Sequence, residues 1–279
     1  MRIANVGGRL KLLVGDGAVD VAAESKGRFD ADPARCFERF GELLQWAPDA
    51  EGTPEPFDAE AAGPPSPAPR QVFGIGLNYV DHARESGIDL PTAPLVFTKY
   101  VSSFTGSSAH VVLPKGSVDW EVEIVVVLGD VAGGTVARDR AWDVVAGLTV
   151  GQDLSERELQ RSGPAPQFGL AKSFSGFSPM GPCLVTPDEF ADPDALELGC
   201  ELNGESVQLG RSTDMVFGVP ELIAYLSGIV TLLPGDVIFT GTPAGVGAGR
   251  TPPKFLEPGD VLRSWVEGIG SITQSFTAT

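Results

Sequence analysis

Near its middle the chain reads Val118-Asp119-Trp120-Glu121-Val122-Glu123-Ile124-Val125-Val126-Val127-Leu128, three acids at alternate positions running straight into a β-branched apolar stretch. A strand repeats every two residues, so Asp119, Glu121 and Glu123 are predicted to project from one face, alternate residues lying roughly 6.6 Å apart. Two glutamates at that separation can converge their flexible side chains on one ion. Like charges beside a buried strand repel one another and lose hydration, and a cation relieves both penalties. Oxygen-only ligation suits a hard divalent ion, Mg²⁺ or Mn²⁺ before Zn²⁺. The competing reading is an edge strand with a solvated acidic face.

Composition narrows the function classes. The formal charge is −17, with 37 acids against 20 Lys plus Arg. A negative field repels phosphate, which argues against nucleic acid and against anionic membrane surfaces as partners. An anionic substrate would need a local metal or local Lys/Arg. Hydrophobic content of 42% describes an ordinary globular chain, and no apolar stretch approaches the ~20 residues of a membrane span. Met1-Arg2-Ile3-Ala4-Asn5 leads directly into strand-like sequence without the apolar core of a signal peptide. Cys36, Cys183 and Cys200 are scattered and odd in number, with no zinc spacing. They read as reduced thiols of a cytoplasmic protein, Cys183 as a buried structural one.

Residues 1–70 read as a small N-terminal unit ending in a linker. Two strands around Arg2–Val6 and Leu10–Val14 meet at Gly7-Gly8, and a helical stretch follows over Arg35–Trp46. The Pro-, Ala- and acid-rich stretch 48–69 reads as an extended linker or surface loop. From Gln71 the texture turns to strands, glycines and short helices. Strands are predicted at Val72–Ile75, Ile124–Leu128, Val144–Thr149, Glu197–Leu202, Val237–Thr240 and Val261–Val266. Helices are predicted at Asp81–Glu85, Glu156–Arg161 and Val219–Leu226, and Asn203-Gly204 reads as a tight hairpin turn. Strands dominate without a βαβ alternation, which makes the class α+β, β-rich.

Several segments carry chemistry. His82 and Glu85 stand at i and i+3 of a predicted helix, where a carboxylate can hold one imidazole nitrogen and leave the other as a general base. The alternative is a surface ion pair. His110 has no acidic neighbour and reads as incidental. Asp153 follows a strand, a position suited to a metal ligand or to the N-cap of the next helix. Lys172 enters a loop rich in glycine and proline. Gly241-Thr242-Pro243-Ala244-Gly245-Val246-Gly247 lacks the following helix of a dinucleotide site. It reads instead as backbone N–H groups, with the Thr242 hydroxyl, offered to a small anion.

Taken in order, these pieces resemble the fumarylacetoacetate hydrolase family. The resemblance is carried by Gly74-Ile75-Gly76-Leu77-Asn78-Tyr79 with His82 and Glu85, by Pro94, Phe97 and Lys99, and by Asp119, Glu121 and Glu123. It continues through Asp153, Ser155, Arg157 and Gln160, Lys172, Pro179-Met180-Gly181-Pro182, Thr213-Asp214-Met215, Pro234-Gly235-Asp236 and Gly241-Thr242-Pro243. It covers residues 71 to about 276. The resemblance implies a mixed β-sandwich roll, a homodimer, and Mg²⁺ or Mn²⁺ held by Glu121, Glu123 and Asp153. It implies a His82–Glu85 dyad on a lid helix, with Lys172, Asn78, Tyr79, Gln160, Gly241 and Thr242 around the bound oxo acid. Asp119 is expected to support the ligands rather than join them. Two departures bear on substrate choice: Gln152 stands where the family commonly has Asn, and Ser173-Phe174-Ser175 replaces a more usual Phe-Asp-Thr.

The reactions implied are C–C hydrolysis of a 2,4-dioxo acid such as an acylpyruvate or fumarylacetoacetate, isomerisation of a 2-hydroxydienoic diacid, or decarboxylation of oxaloacetate. All three pass through an enolate whose charge a metal can offset. Hydrolysis leads, and a non-catalytic oxo-acid-binding protein is the rival from another class.

Overall fold

The long apolar run at 122–128 does form a strand, and it is buried on both faces. In the computed structural model, which describes residues 1–279, Val122, Ile124, Val126 and Leu128 face one hydrophobic core while Val125 and Val127 face another. A strand covered on one side only would alternate apolar with polar residues; this one has no need to.

The large sheet runs in the order Glu55–Pro56, Gly17–Asp20, Arg9–Val14, Arg2–Val6, Ser178–Val185, Val145–Gln152, Val122–Leu128, Val237–Phe239, Val72–Gly76, Leu95–Thr98. Most neighbours are antiparallel; Val237–Phe239 and Val72–Gly76 pair in parallel. A second sheet of five strands, from Glu205–Arg211 through Glu197–Leu202, Val261–Val266 and Gly270–Ala278 to Ser108–Leu113, packs across one face. Between them lies the larger core, where Ile124 and Val126 share a cluster with Leu198, Leu262, Ile272 and Phe276. The other face of the large sheet is covered by Phe37, Phe40 and Leu43, which pack with Val125, Val127 and Phe239. These layers form the β-rich α+β architecture expected.

The hairpin at Gly7-Gly8 and the turn at Asn203-Gly204 form as expected, each with two consecutive positive φ angles. Three differences have physical causes. The predicted helix over Arg35–Trp46 breaks into short 3₁₀ turns at Pro33–Arg35 and Phe37–Arg39, and only Phe40–Trp46 is α-helical. Its apolar residues answer to the sheet beneath rather than to a helical repeat. The stretch 48–69 is exposed at only half its positions and is not loose: Glu55–Pro56 and Ala62–Gly63 add to the sheet, and the Ser66 hydroxyl donates to the Gly235 carbonyl at 2.7 Å. Strand Arg2–Val6 hydrogen-bonds directly to Ser178–Val185, with Ile3 opposite Leu184, so one continuous sheet carries both ends of the architecture.

The helix Phe40–Trp46 has no cap of its own. Its first N–H groups donate instead to Asp130, Phe40 N at 3.2 Å and Gly41 N at 2.9 Å. A carboxylate at a helix start stabilises it by both hydrogen bonding and the helix dipole. Asp130→Ala is therefore expected to lower stability by about 1 kcal/mol, read as a shifted denaturation midpoint with unchanged slope. A midpoint identical to the parent's would show that this cap contributes nothing.

Candidate active site

Strand register brings three acids together. In the antiparallel pair, Val122 lies opposite Gln152 and Glu123 opposite Gly151, and the Asp153 N–H continues the ladder by donating to the Glu121 carbonyl at 2.9 Å. Asp153 thus sits across from Glu121, and Glu121 and Glu123 share a face through the period of two. One carboxylate oxygen from each of Glu121, Glu123 and Asp153 lies within 4.8 Å of the others, and all three residues are buried.

Asp119 does not complete a row of three. The ladder breaks at Trp120-Glu121, and the Asp119 carboxylate turns to a different set of donors. It accepts from Gly247 N at 2.6 Å and Ala248 N at 2.9 Å, and pairs with Arg157 at 2.8 Å. Arg157 also reaches Glu121 at 2.7 Å, so Asp119 holds the arginine that holds Glu121.

The glycine-rich loop answers a question the sequence leaves open, namely which anion its N–H groups serve. They serve the protein's own carboxylates. Gly241 N donates to Glu123 at 2.7 Å, Gly245 N to Glu85 at 3.1 Å, and Gly247 N to Asp119. Gly241 has a φ of +97°, and a Cβ there would meet Asn78 Cβ at 2.7 Å. At Gly247 a Cβ would lie 1.8 Å from the Lys254 carbonyl oxygen. The close approach is open only to glycine.

Two buried lysines face the triad. Lys172 Nζ lies 2.6 Å from both Glu121 and Asp153, leaving one of its three N–H groups free. Lys99 Nζ donates to Asp153 and to the Lys172 carbonyl. Lys99 and Arg157 both stand in the motifs quoted from the sequence, yet neither had been given a role there. For Lys99 a signal was available, since a lone base within apolar, strand-like sequence has to find a carboxylate when it is buried; Arg157, between Glu156 and Glu158, offered none.

His82 is buried on the short helix Val80–Glu85, with Nδ1 3.3 Å from Glu85 Oε2 and no protein partner on Nε2. Gly245 N in turn fixes Glu85. His82, Glu85, Glu121, Lys172, Gln160 and Thr242 all line one cavity of 470 Å³. A larger cleft of 1060 Å³, across Leu13, Val14 and Ile269, contains none of them.

Of the expected substrate contacts, Asn78 and Tyr79 do not reach this cavity. The Asn78 amide donates to the Phe217 and Thr240 carbonyls and accepts from Phe217 N, which ties down the turn before Gly241. Tyr79 is packed in the core, its hydroxyl without a partner. Gly241 spends its N–H on Glu123. Thr242 faces the cavity, but its hydroxyl already donates to the Val122 carbonyl and accepts from Gln208. Gln160 lines the wall and accepts from Arg157 at 3.0 Å. Asp153 is not the helix cap; Glu156 caps the turn Arg157–Gln160. His110 bonds only Ser275, far from these residues in the fold. All three cysteines are free and buried, and burial pushes the Cys183 thiol up to about 11.

Electrostatics separate the three acids. Burial raises the Glu121 carboxyl, but Lys172 and Arg157 outweigh it and hold it down to about 2. Glu123 has no ion pair, and burial, with Asp153 and Glu121 adding repulsion, pushes its carboxyl well above the usual range. Asp119 and Arg157 neutralise each other. The three remaining acids then face only Lys99 and Lys172, which leaves Glu123 without a counter-charge and favours its protonated form. A divalent cation that displaces the Glu123 proton leaves the cluster with a single positive charge, suited to an incoming carboxylate. The donor set therefore fits Mg²⁺ or Mn²⁺.

Because its folded pKa is raised, Glu123 keeps its proton at pH values where the unfolded chain has lost it. Metal-free stability accordingly falls as pH rises through that window. A bound cation must displace the proton, so its affinity rises with pH. Mn²⁺ is expected to raise the unfolding temperature more at about pH 8 than at about pH 6, and Glu123→Gln should abolish the difference. Equal shifts at both pH values would show that Glu123 does not ligate.

Comparison with known proteins follows the same residues. The family described as Fumarylacetoacetate (FAA) hydrolase C-terminal matches residues 71–277. The mitochondrial oxaloacetate tautomerase FAHD2A of Homo sapiens is 46% identical over 210 residues, 75% of this chain and 67% of that protein. A Mycobacterium smegmatis crystal structure bearing the provisional name HpcE protein matches with a TM-score of 0.97 and 56% identity, over 100% of both chains. The maleylpyruvate hydrolase of Sphingobium sp. SYK-6, in complex with manganese (II) ion and pyruvate, matches with a TM-score of 0.79 and 26% identity, over 100% of this chain and 99% of that one.

Proposed function

This chain belongs to the fumarylacetoacetate hydrolase family, and from that premise we propose that it is a divalent-metal-dependent hydrolase cleaving a C–C bond in a 2,4-dioxo acid. The observation that carries the reading is one cavity in which a buried carboxylate set faces a histidine whose second nitrogen is already engaged by Glu85.

Mg²⁺ or Mn²⁺, held by Glu121, Glu123 and Asp153, would supply Lewis-acid polarisation of the 2-oxo acid and offset the charge of its enolate. The chain's own residues do the rest. Glu85, anchored by Gly245 N–H, holds His82 Nδ1 and leaves Nε2 to take a proton from water as it attacks the distal carbonyl. The bond from that carbonyl to C3 breaks, and its electron pair passes into the pyruvate enolate. The His82 imidazolium then returns a proton to C3. Lys172 keeps one N–H for the oxo acid while its other two hold Glu121 and Asp153 in place.

A second reading is keto–enol tautomerisation of oxaloacetate, favoured by the 46% identity to a protein of that name. It would need only the proton movements of His82. The proposal includes a cytoplasmic homodimer; the exposed apolar edge at Leu95, Val96, Tyr100 and Val101 supports a second copy.

The test follows acetylpyruvate absorbance and oxaloacetate enol absorbance in parallel, with Mn²⁺ present or chelated. Metal-dependent loss of acetylpyruvate is expected, falling about a hundredfold or more in His82→Ala. Oxaloacetate interconversion without any cleavage would replace the hydrolase reading by the tautomerase one.

A further inference from the structure

Two arginines at the cavity have no part in the chemistry just described. Arg161 and Arg250 both line the 470 Å³ cavity that holds His82 and Glu121. The other bases there are spoken for: Arg157 and Lys172 pair with Asp119, Glu121 and Asp153. Arg161 and Arg250 make no ion pair with any acid of a chain that carries 37 of them.

They differ in how they are held. Arg161 is exposed at the end of the turn Arg157–Gln160 and donates no side-chain hydrogen bond within the protein. Arg250 is held by contacts: Nη2 donates to the Val207 carbonyl at 2.9 Å, and the guanidinium lies over Trp120, 5.6 Å from the ring centroid. Its Nε is buried without any partner. With no acid beside it, the guanidinium on the cavity wall keeps its charge for an anion that enters.

The global charge sharpens the point. At −17, the field of this protein opposes anions. The triad and its lysines can receive one carboxylate, that of the 2-oxo acid. Two further unpaired guanidinium groups in the same cavity exceed what that carboxylate requires.

Resting on the oxo-acid reading above, we propose that Arg161 and Arg250 select substrates with a second carboxylate, at the end of the chain remote from the 2-oxo acid group. They are specificity residues: they meet the substrate's tail and leave bond breaking to His82 and the triad.

Calorimetric titration of the Mn²⁺-loaded protein tests this without turnover. The ligands are 2-oxoglutarate against 2-oxopentanoate, and 2-oxoadipate against 2-oxohexanoate, so that two tail lengths are sampled with and without the terminal charge. In at least one pair the diacid should bind about tenfold tighter than its monoacid. Arg161→Gln, at an exposed position that does not threaten folding, and Arg250→Gln should each shrink that ratio severalfold, with Arg161→Lys restoring part of it. Equal affinity within both pairs, or variants that weaken diacid and monoacid alike, overturns the proposal while leaving the oxo-acid reading intact. No binding of any of the four ligands overturns both.

Discussion

Burying several carboxylates side by side is the constraint around which this structure is arranged. Glu121, Glu123 and Asp153 lie within a few ångströms of one another and are buried, so that each loses hydration and repels the others. Two lysines, an arginine and the N–H groups of one glycine-rich loop all converge on this problem. Their demands explain features that otherwise look unrelated: the positive φ at Gly241, the absence of any side chain at Gly247, and an Asn78 whose whole amide is given over to holding one turn.

The acids are not equivalent. Glu121 and Asp153 are neutralised by ammonium groups, whereas Glu123 meets only a backbone N–H. A site with all acids paired would bind a metal poorly, because each ion pair would have to be broken first. A site with none paired would not fold around its own repulsion. Leaving one acid without a counter-charge, protonated until a cation displaces the proton, lets the protein be stable and still draw a cation. The same economy appears in the dyad, where Glu85 is fixed by Gly245 and its histidine keeps one nitrogen free.

Much of this was legible in the sequence, for physical reasons. The alternation of acids in 119–123 is a statement about one strand face, and the β-branched run after it is a statement about burial. Both survive folding because they depend on the two-residue period alone. The hairpin turns were legible because Asn203-Gly204 and Gly7-Gly8 tolerate positive φ. What could not be read were relations between distant segments. That Lys99 reaches Asp153, or that the loop at 241–248 serves Glu85, Glu123 and Asp119 rather than a ligand, depends on strand order. Nor could the sequence show that Asn78 and Tyr79 turn away from the cavity, since a place beside a motif does not set a side chain's direction. The helix over Arg35–Trp46 failed because its apolar spacing satisfies the sheet below equally well as short turns.

The register that aligns Glu121 with Asp153 also divides the chain by its tolerance for insertions and deletions. Side chains on a strand switch faces with every residue, so losing or gaining one position within 121–128 or 145–153 would exchange the clustered carboxylates for core residues at a stroke. The connection between these strands reaches the surface at a tip that includes the exposed pair Gly133-Gly134. Only at that tip can its length drift, because Asp130 caps the helix Phe40–Trp46 and Ala141 sits in the core. Related chains are thus free to diverge in length there while the carboxylates stay where they are.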